Sequence, residues 1–178
     1  INEIGYTTYQ KILKEAIQEL KENEFKDVFK EEIAEKKTYV EDVVIETDEE
    51  MLIPDDYVSN IQERLNLYTE LDTIESEEGV SAFKENMKDR FGPLPKEVSL
   101  LFEGLRLRWL SKLLGFERVL IKNRKLRCYF ISDPQSTYFE TDHFKMMMSC
   151  LSKEGHKFGL SLKQSKRYLI VVKDDVLN

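Results

Sequence analysis

Cys128, Asp133 and His143 are the side chains whose types match a nucleophile, an orienting acid and a general base. No local signature supports them as a triad. Cys128 falls within the apolar residues 126–131, where a small thiol is ordinary core filling. His143 follows Glu140 and Asp142 near a helix start, as a surface histidine would, and His156 falls in a turn. Two histidines and two distant cysteines, Cys128 and Cys150, lack the spacing of a zinc site. None of the seven glycines opens a G-x-x-x-x-G-K-S/T loop, so no nucleotide or other cofactor is expected in this stretch. The acids follow turns and helix starts: Asp48-Glu49-Glu50 and Glu77-Glu78. Asp89-Arg90 differs, because it ends an amphipathic segment just before Phe91-Gly92-Pro93. Phe91 then pins the turn while Asp89 and Arg90 face outward. Arg90 complements the negative helix end, and Asp89 is available for a local pair or an external one.

The chain that must position these groups is 178 residues long, 41% hydrophobic and 34% charged, enough to bury a core of its own. No apolar run approaches the roughly 20 residues of a membrane-spanning helix, and residues 1–10 do not form a signal peptide. The abrupt helical pattern after Ile1 is that of a piece of a longer protein, and the cysteine usage suits a reduced, cytoplasmic setting. Charge is uneven. Residues 1–104 hold 12 Lys and Arg against 27 Asp and Glu, whereas residues 105–178 hold 15 against 7. Such asymmetry marks either a partner surface or an electrostatic match between the halves. Arg106, Arg108, Lys122, Arg124, Lys125 and Arg127 would serve a nucleic-acid-binding module. Their alternation with apolar residues instead suits solvated faces of a helix and a hairpin.

Periodicity predicts a helix over residues 6–22, a charged linker or loosely held helix over 22–37, a domain boundary near Lys36 and a strand over 39–45. A solvated turn at 47–50 follows. Three helices come next: residues 56–71 from an Asp55-Asp56 start with Val58, Ile61, Leu65 and Tyr68 inward; from Ser76 to Gly92 with Val80, Phe83, Met87 and Phe91 inward; and from Pro95 to Gly115 with Val98, Leu101, Phe102, Leu105, Trp109 and Leu113 inward. A hairpin over 118–131 turns at Lys122-Asn123-Arg124-Lys125. A helix over 136–152 carries Phe139, Phe144, Met147, Met148 and Leu151, and strands follow at 158–162 and 168–172. The run Met146-Met147-Met148 reads as core packing on one face, with a plastic binding surface as the alternative. Helices followed by strands give an α+β fold, with amphipathic helices packed on a small mixed or antiparallel sheet.

Four segments resemble a known family: Leu52-Ile53-Pro54-Asp55-Asp56-Tyr57, Arg64-Leu65-x-Leu67-Tyr68, Asp89-Arg90-Phe91-Gly92-Pro93-Leu94-Pro95 and Arg106-Leu107-Arg108. In order and spacing they resemble the C-terminal domain of the bacterial transcription-repair coupling factor. The likeness covers roughly residues 39–132 and weakens beyond. Residues 4–13 (IGYTTYQKIL) resemble the end of the translocase module that precedes this domain in the family, which divides the chain into 1–36 and 37–178.

The resemblance implies a non-catalytic regulatory domain that clamps onto the N-terminal module of the same protein. There it masks the surface that recruits the damage-recognition ATPase of excision repair. It also represses the DNA translocase until RNA polymerase is engaged. ATP and magnesium belong to the parent protein, as does double-stranded DNA; no membrane is implied. Carried onto this sequence, the interface falls on Asp89 and Arg90. Asn86 stands where the family can present an acid one turn earlier, and Glu85 points about 100° away from it.

Overall fold

Helix caps and turn residues set the boundaries of nearly every element in the computed structural model, which describes residues 39–176. The expected helix over 6–22, the linker, the boundary near Lys36 and the segment 4–13 lie outside the described residues. Strand β1 (Val44–Thr47) is followed by helices α1 (Ile61–Asp72), α2 (Glu77–Phe91) and α3 (Lys96–Leu114), then by strands β2 (Phe116–Lys122) and β3 (Lys125–Phe130). A 3-10 turn at Thr137–Glu140 leads into α4 (Asp142–Glu154). A second 3-10 turn at Gly155–Phe158 precedes β4 (Leu160–Gln164) and β5 (Leu169–Asp174). The sheet runs β1-β2-β3-β5-β4. β1 is parallel to β2 and the remaining pairs are antiparallel, so the α+β class holds with a mixed sheet. A parallel pair needs a long crossover, and helices α1–α3 supply it.

That crossover builds its own core. Ile53, Val58, Leu67, Leu71, Val80, Phe83, Met87, Val98, Phe102 and Leu105 bury one another. A second core lies between the sheet and α4, around Val119, Cys128, Phe130, Tyr138 and Val171. α3 joins the two: Val98, Phe102 and Leu105 face the first, while Leu107 and Leu114 pack on the second. Gly115 then ends α3 in the left-handed region (φ 75°, ψ 27°) and turns the chain into β2.

Several expectations change. α1 starts at Ile61, not at residue 56, because Asn60 is the cap and its side chain accepts from the Glu63 amide at 3.0 Å. Residues 54–58 form a turn instead, with the Val58 amide bonded to the Pro54 carbonyl. Of the residues expected inward, Val58 is buried and Tyr68 packs on the core, but Ile61 and Leu65 are 68% and 54% exposed and Leu67 and Leu71 are buried instead. Leu113 is likewise 65% exposed, since the last turns of α3 rotate their inner face toward the sheet. Pro95 is the cap of α3 rather than its first residue.

The first strand is four residues long and displaced toward Thr47; Val40 and Val43 enter the core from irregular backbone. The helix expected over 136–152 is broken at Thr141, which is extended and caps α4 by accepting from the Phe144 amide. Ser136 similarly caps the preceding 3-10 turn, the competition that Ser and Thr offer to continuous helix. Met147 packs on the sheet core while Met146 points to solvent. The hairpin turn is Asn123-Arg124, with φ of 52° and 59°; this double positive φ belongs to the two-residue turns that match strand twist.

Candidate protein-interaction surface

α2 owes its orientation to its two ends. Ser76 accepts from the Gly79 amide at 3.1 Å, and Glu77 and Glu78 lie in the positive first turn. At the other end the Gly92 amide donates to the Lys88 carbonyl at 2.9 Å, and Gly92 takes φ 88°. Between them Val80, Phe83 and Met87 are buried, which turns Glu85, Asn86 and Asp89 outward, all exposed. Glu85 and Asp89 are one turn apart on the same stripe, with Asn86 beside them toward Arg90.

These four residues differ in what already occupies them. Glu85 accepts from Lys88 Nζ at 2.7 Å. Arg90 is ion-paired to Glu63 of α1, and its guanidinium lies 4.8 Å from the centroid of the Phe91 ring. Asn86 and Asp89 have no hydrogen bond or ion pair among the described residues. The last turn is also gripped from below. The Tyr57 hydroxyl donates to the Gly92 carbonyl at 2.9 Å and to the Met87 carbonyl at 3.2 Å, and its ring meets Phe91 edge-on at 5.8 Å. Burial pushes the Tyr57 hydroxyl up from its ordinary pKa, which keeps it a donor.

The catalytic and nucleic-acid candidates fare differently. Cys128 is buried on β3, and burial raises its thiol to about 12, away from nucleophilic chemistry. Asp133 accepts from the Gln135 amide in a turn, and His143 is exposed in the first turn of α4. Among the described residues no group of three or more His, Cys, Asp or Glu could hold a metal ion, and no helix is long and apolar enough to cross a membrane.

Five of the six basic side chains singled out above carry acid partners. Arg106 pairs with Glu77 and Glu103, and Arg108 with Asp72 and Asp42. Arg118 and Lys122 share Glu46, while Arg124 pairs with Asp175 and Lys125 sits 3.9 Å from Asp174. Arg127 alone of the six has no acid partner among the described residues. The Arg106 bond holds the Glu77 carboxyl below its ordinary pKa, and Lys122 followed by Arg118 does the same for Glu46. Five acids before Gly104 thus meet four bases after it, while Arg124 and Lys125 pair with acids of their own half. What sequence reasoning missed is Glu63 and Tyr57, the two residues that fix the last turn of α2; an ion pair 27 positions apart leaves no periodic trace.

The TRCF domain family matches residues 47–141, from the end of β1 to the cap of α4. A transcription-repair-coupling factor of Rickettsia typhi is 30% identical over 119 residues, which cover 67% of this chain and 10% of that protein. That of Haemophilus influenzae is 30% identical over 119 residues with the same coverage. That of Staphylococcus epidermidis is 26% identical over 137 residues, covering 77% of this chain and 11% of the relative. The chain thus spans about a tenth of the length of the curated relatives it matches. A crystal structure of the C-terminal domain of transcription-repair coupling factor shares its fold, with a TM-score of 0.57 and 20% identity over 75% of this chain and 80% of that one. With its helical crossover, strands β2 and β3 and the Asp-Arg-Phe-Gly turn all inside a match spanning more than half its length, the chain belongs to the TRCF domain family.

Proposed function

We propose that this domain is the non-catalytic regulatory module of a transcription-repair coupling factor. It closes on the N-terminal module of its parent protein through the outer face of α2. Closed, it covers the surface that recruits the damage-recognition ATPase of excision repair, and it holds an ATP-driven DNA translocase in a repressed state until RNA polymerase is engaged. One observation carries the reading: Asn86 and Asp89 are exposed and without a partner among the described residues, on a helix that buries Val80, Phe83 and Met87 on its opposite face. Such a surface is rigid, acidic and free to accept a cationic patch. Exposed ion pairs are individually weak, so the contact is reversible, and any state that engages polymerase more strongly than the closed one releases it.

The test is binding of this chain to the purified N-terminal module of its parent, with and without Asp89→Arg. Reversing one exposed charge in a contact should weaken binding by about tenfold, or ~1.4 kcal/mol, with no loss of thermal stability. Unchanged binding removes α2 from the interface. Salt-dependent DNA affinity without module binding would favour the nucleic-acid alternative, for which Arg127 is the one of the six cations not paired among the described residues.

A further inference from the structure

We infer that Glu63 of α1 belongs to this docking surface as the positioning residue for Arg90, so that the surface spans two helices; the inference rests on the clamp proposed above. Glu63 is itself fixed. Its amide donates to the Asn60 side chain at 3.0 Å, and its carboxylate lies in the first turn of α1, where the helix end favours negative charge. It accepts from Arg90 Nη2, while the Phe91 ring covers one face of the guanidinium at 4.8 Å. Phe91 is in turn held by Tyr57, six residues before Glu63. The segment 57–63 therefore grips the last turn of α2 at its carbonyls, its ring and its arginine.

A guanidinium offers five N–H donors in a fixed fork. One is committed to Glu63. The planar group is thereby oriented, with donors left for an acceptor outside the domain. Asp89, next to it, is exposed and accepts only. The surface thus fits a protein partner that presents a cation and, beside it, a carboxylate or backbone carbonyl. Ordering the arginine in advance lowers the entropy lost on docking. Glu63 therefore acts through Arg90 without needing to touch the partner.

Two variants separate positioning from mere support of the fold. In Glu63→Gln the charge that orients Arg90 is lost, and affinity of the chain for the purified N-terminal module should fall about fivefold. Thermal stability should change little, as for other exposed pairs. In the exchange Glu63→Arg with Arg90→Glu, the pair between the helices is rebuilt in reverse. Both charges then oppose their helix ends, so the thermal midpoint should fall slightly with the fold kept, while module binding stays lost. Wild-type affinity in Glu63→Gln, tighter binding in it, or restored binding in the exchange variant overturns the positioning role and leaves the clamp standing. A wild-type chain that does not bind the module overturns both.

Discussion

Gly115 and Gly159 both sit in the left-handed region, with φ of 75° and 67° and ψ of 27° and 21°. Alanine at either position meets the same backbone cost, roughly 1–2 kcal/mol. Their surroundings differ. A Cβ at Gly159 meets nothing within 4 Å, whereas one at Gly115 would stand 2.5 Å from the Tyr138 hydroxyl and 2.6 Å from its Cε2. Tyr138 has no room to withdraw. It is 1% exposed, its hydroxyl donates to the Leu114 carbonyl at 2.5 Å, and Tyr39, Phe139 and Phe144 ring it at 5.4–5.5 Å. Overpacking of about 1–3 kcal/mol and loss of a buried hydrogen bond of about 1 kcal/mol then add to the backbone term. Gly115→Ala should cost roughly 3–6 kcal/mol against about 1–2 for Gly159→Ala. Urea unfolding followed by fluorescence of Trp109, the single tryptophan, reads this out. Because Trp109 packs on the helical core, it also tests whether α3 couples the two cores. Equal destabilisation by the two alanines would refute the argument that Tyr138 locks the α3–β2 junction.

Cys150 is exposed and Cys128 buried with its thiol raised to about 12, so a thiol reagent at pH 8 should modify one cysteine per native chain and both after denaturation; rapid modification of two would contradict the buried assignment. Glu46, held by Lys122 and Arg118, has a carboxyl pKa below its ordinary value. Its contribution to stability is therefore present above the unfolded carboxylate pKa and lost as pH falls through the lowered folded value. Glu46→Gln should flatten the acid limb of a plot of thermal midpoint against pH while leaving its slope above pH 7 unchanged. An acid limb identical to the wild type would remove Glu46 from that linkage.

What the sequence discloses depends on how local the cause is. α2 is legible in full because Ser76, the acids behind it and Gly92 each act within one turn. α1 is not, because Asp55-Asp56 imitates a helix start, while the burial of Ile53 and Val58 holds 54–58 in a turn and leaves Asn60 as the cap. How α1 packs then buries Leu67 and Leu71 and leaves Ile61 and Leu65 exposed. The break at Thr141 has the same origin: the composition of 136–152 suits a helix, and the burial of Tyr138 decides otherwise. At the candidate surface, the position of Asp89 and Arg90 in a last turn is readable from Phe91-Gly92. The engagement of Arg90 by Glu63 depends on how two helices pack and is not.

The same division explains the charges. The uneven charge leaves open a partner surface or a match between the halves, and part of it is such a match: Glu77 meets Arg106, Asp42 and Asp72 meet Arg108, and Glu46 meets Arg118 and Lys122. Asp48 completes the match by accepting from the Asn123 amide at the hairpin turn. Glu77–Arg106 and Asp72–Arg108 join helices within the crossover, Glu46 joins β1 to β2, and Asp42–Arg108 ties α3 to the segment that leads into β1. Asp89 of α2 is not consumed by this match, and the helix beneath it is held by apolar burial and by Tyr57. On the proposed clamp, the groups offered to a partner are therefore separate from most of those that hold the domain together, and opening the contact need not disturb the fold. Arg90 is the exception, since it serves Glu63 within the domain and an acceptor outside it. That dual use makes the Glu63–Arg90 pair the point at which a change inside the domain would be felt at the interface.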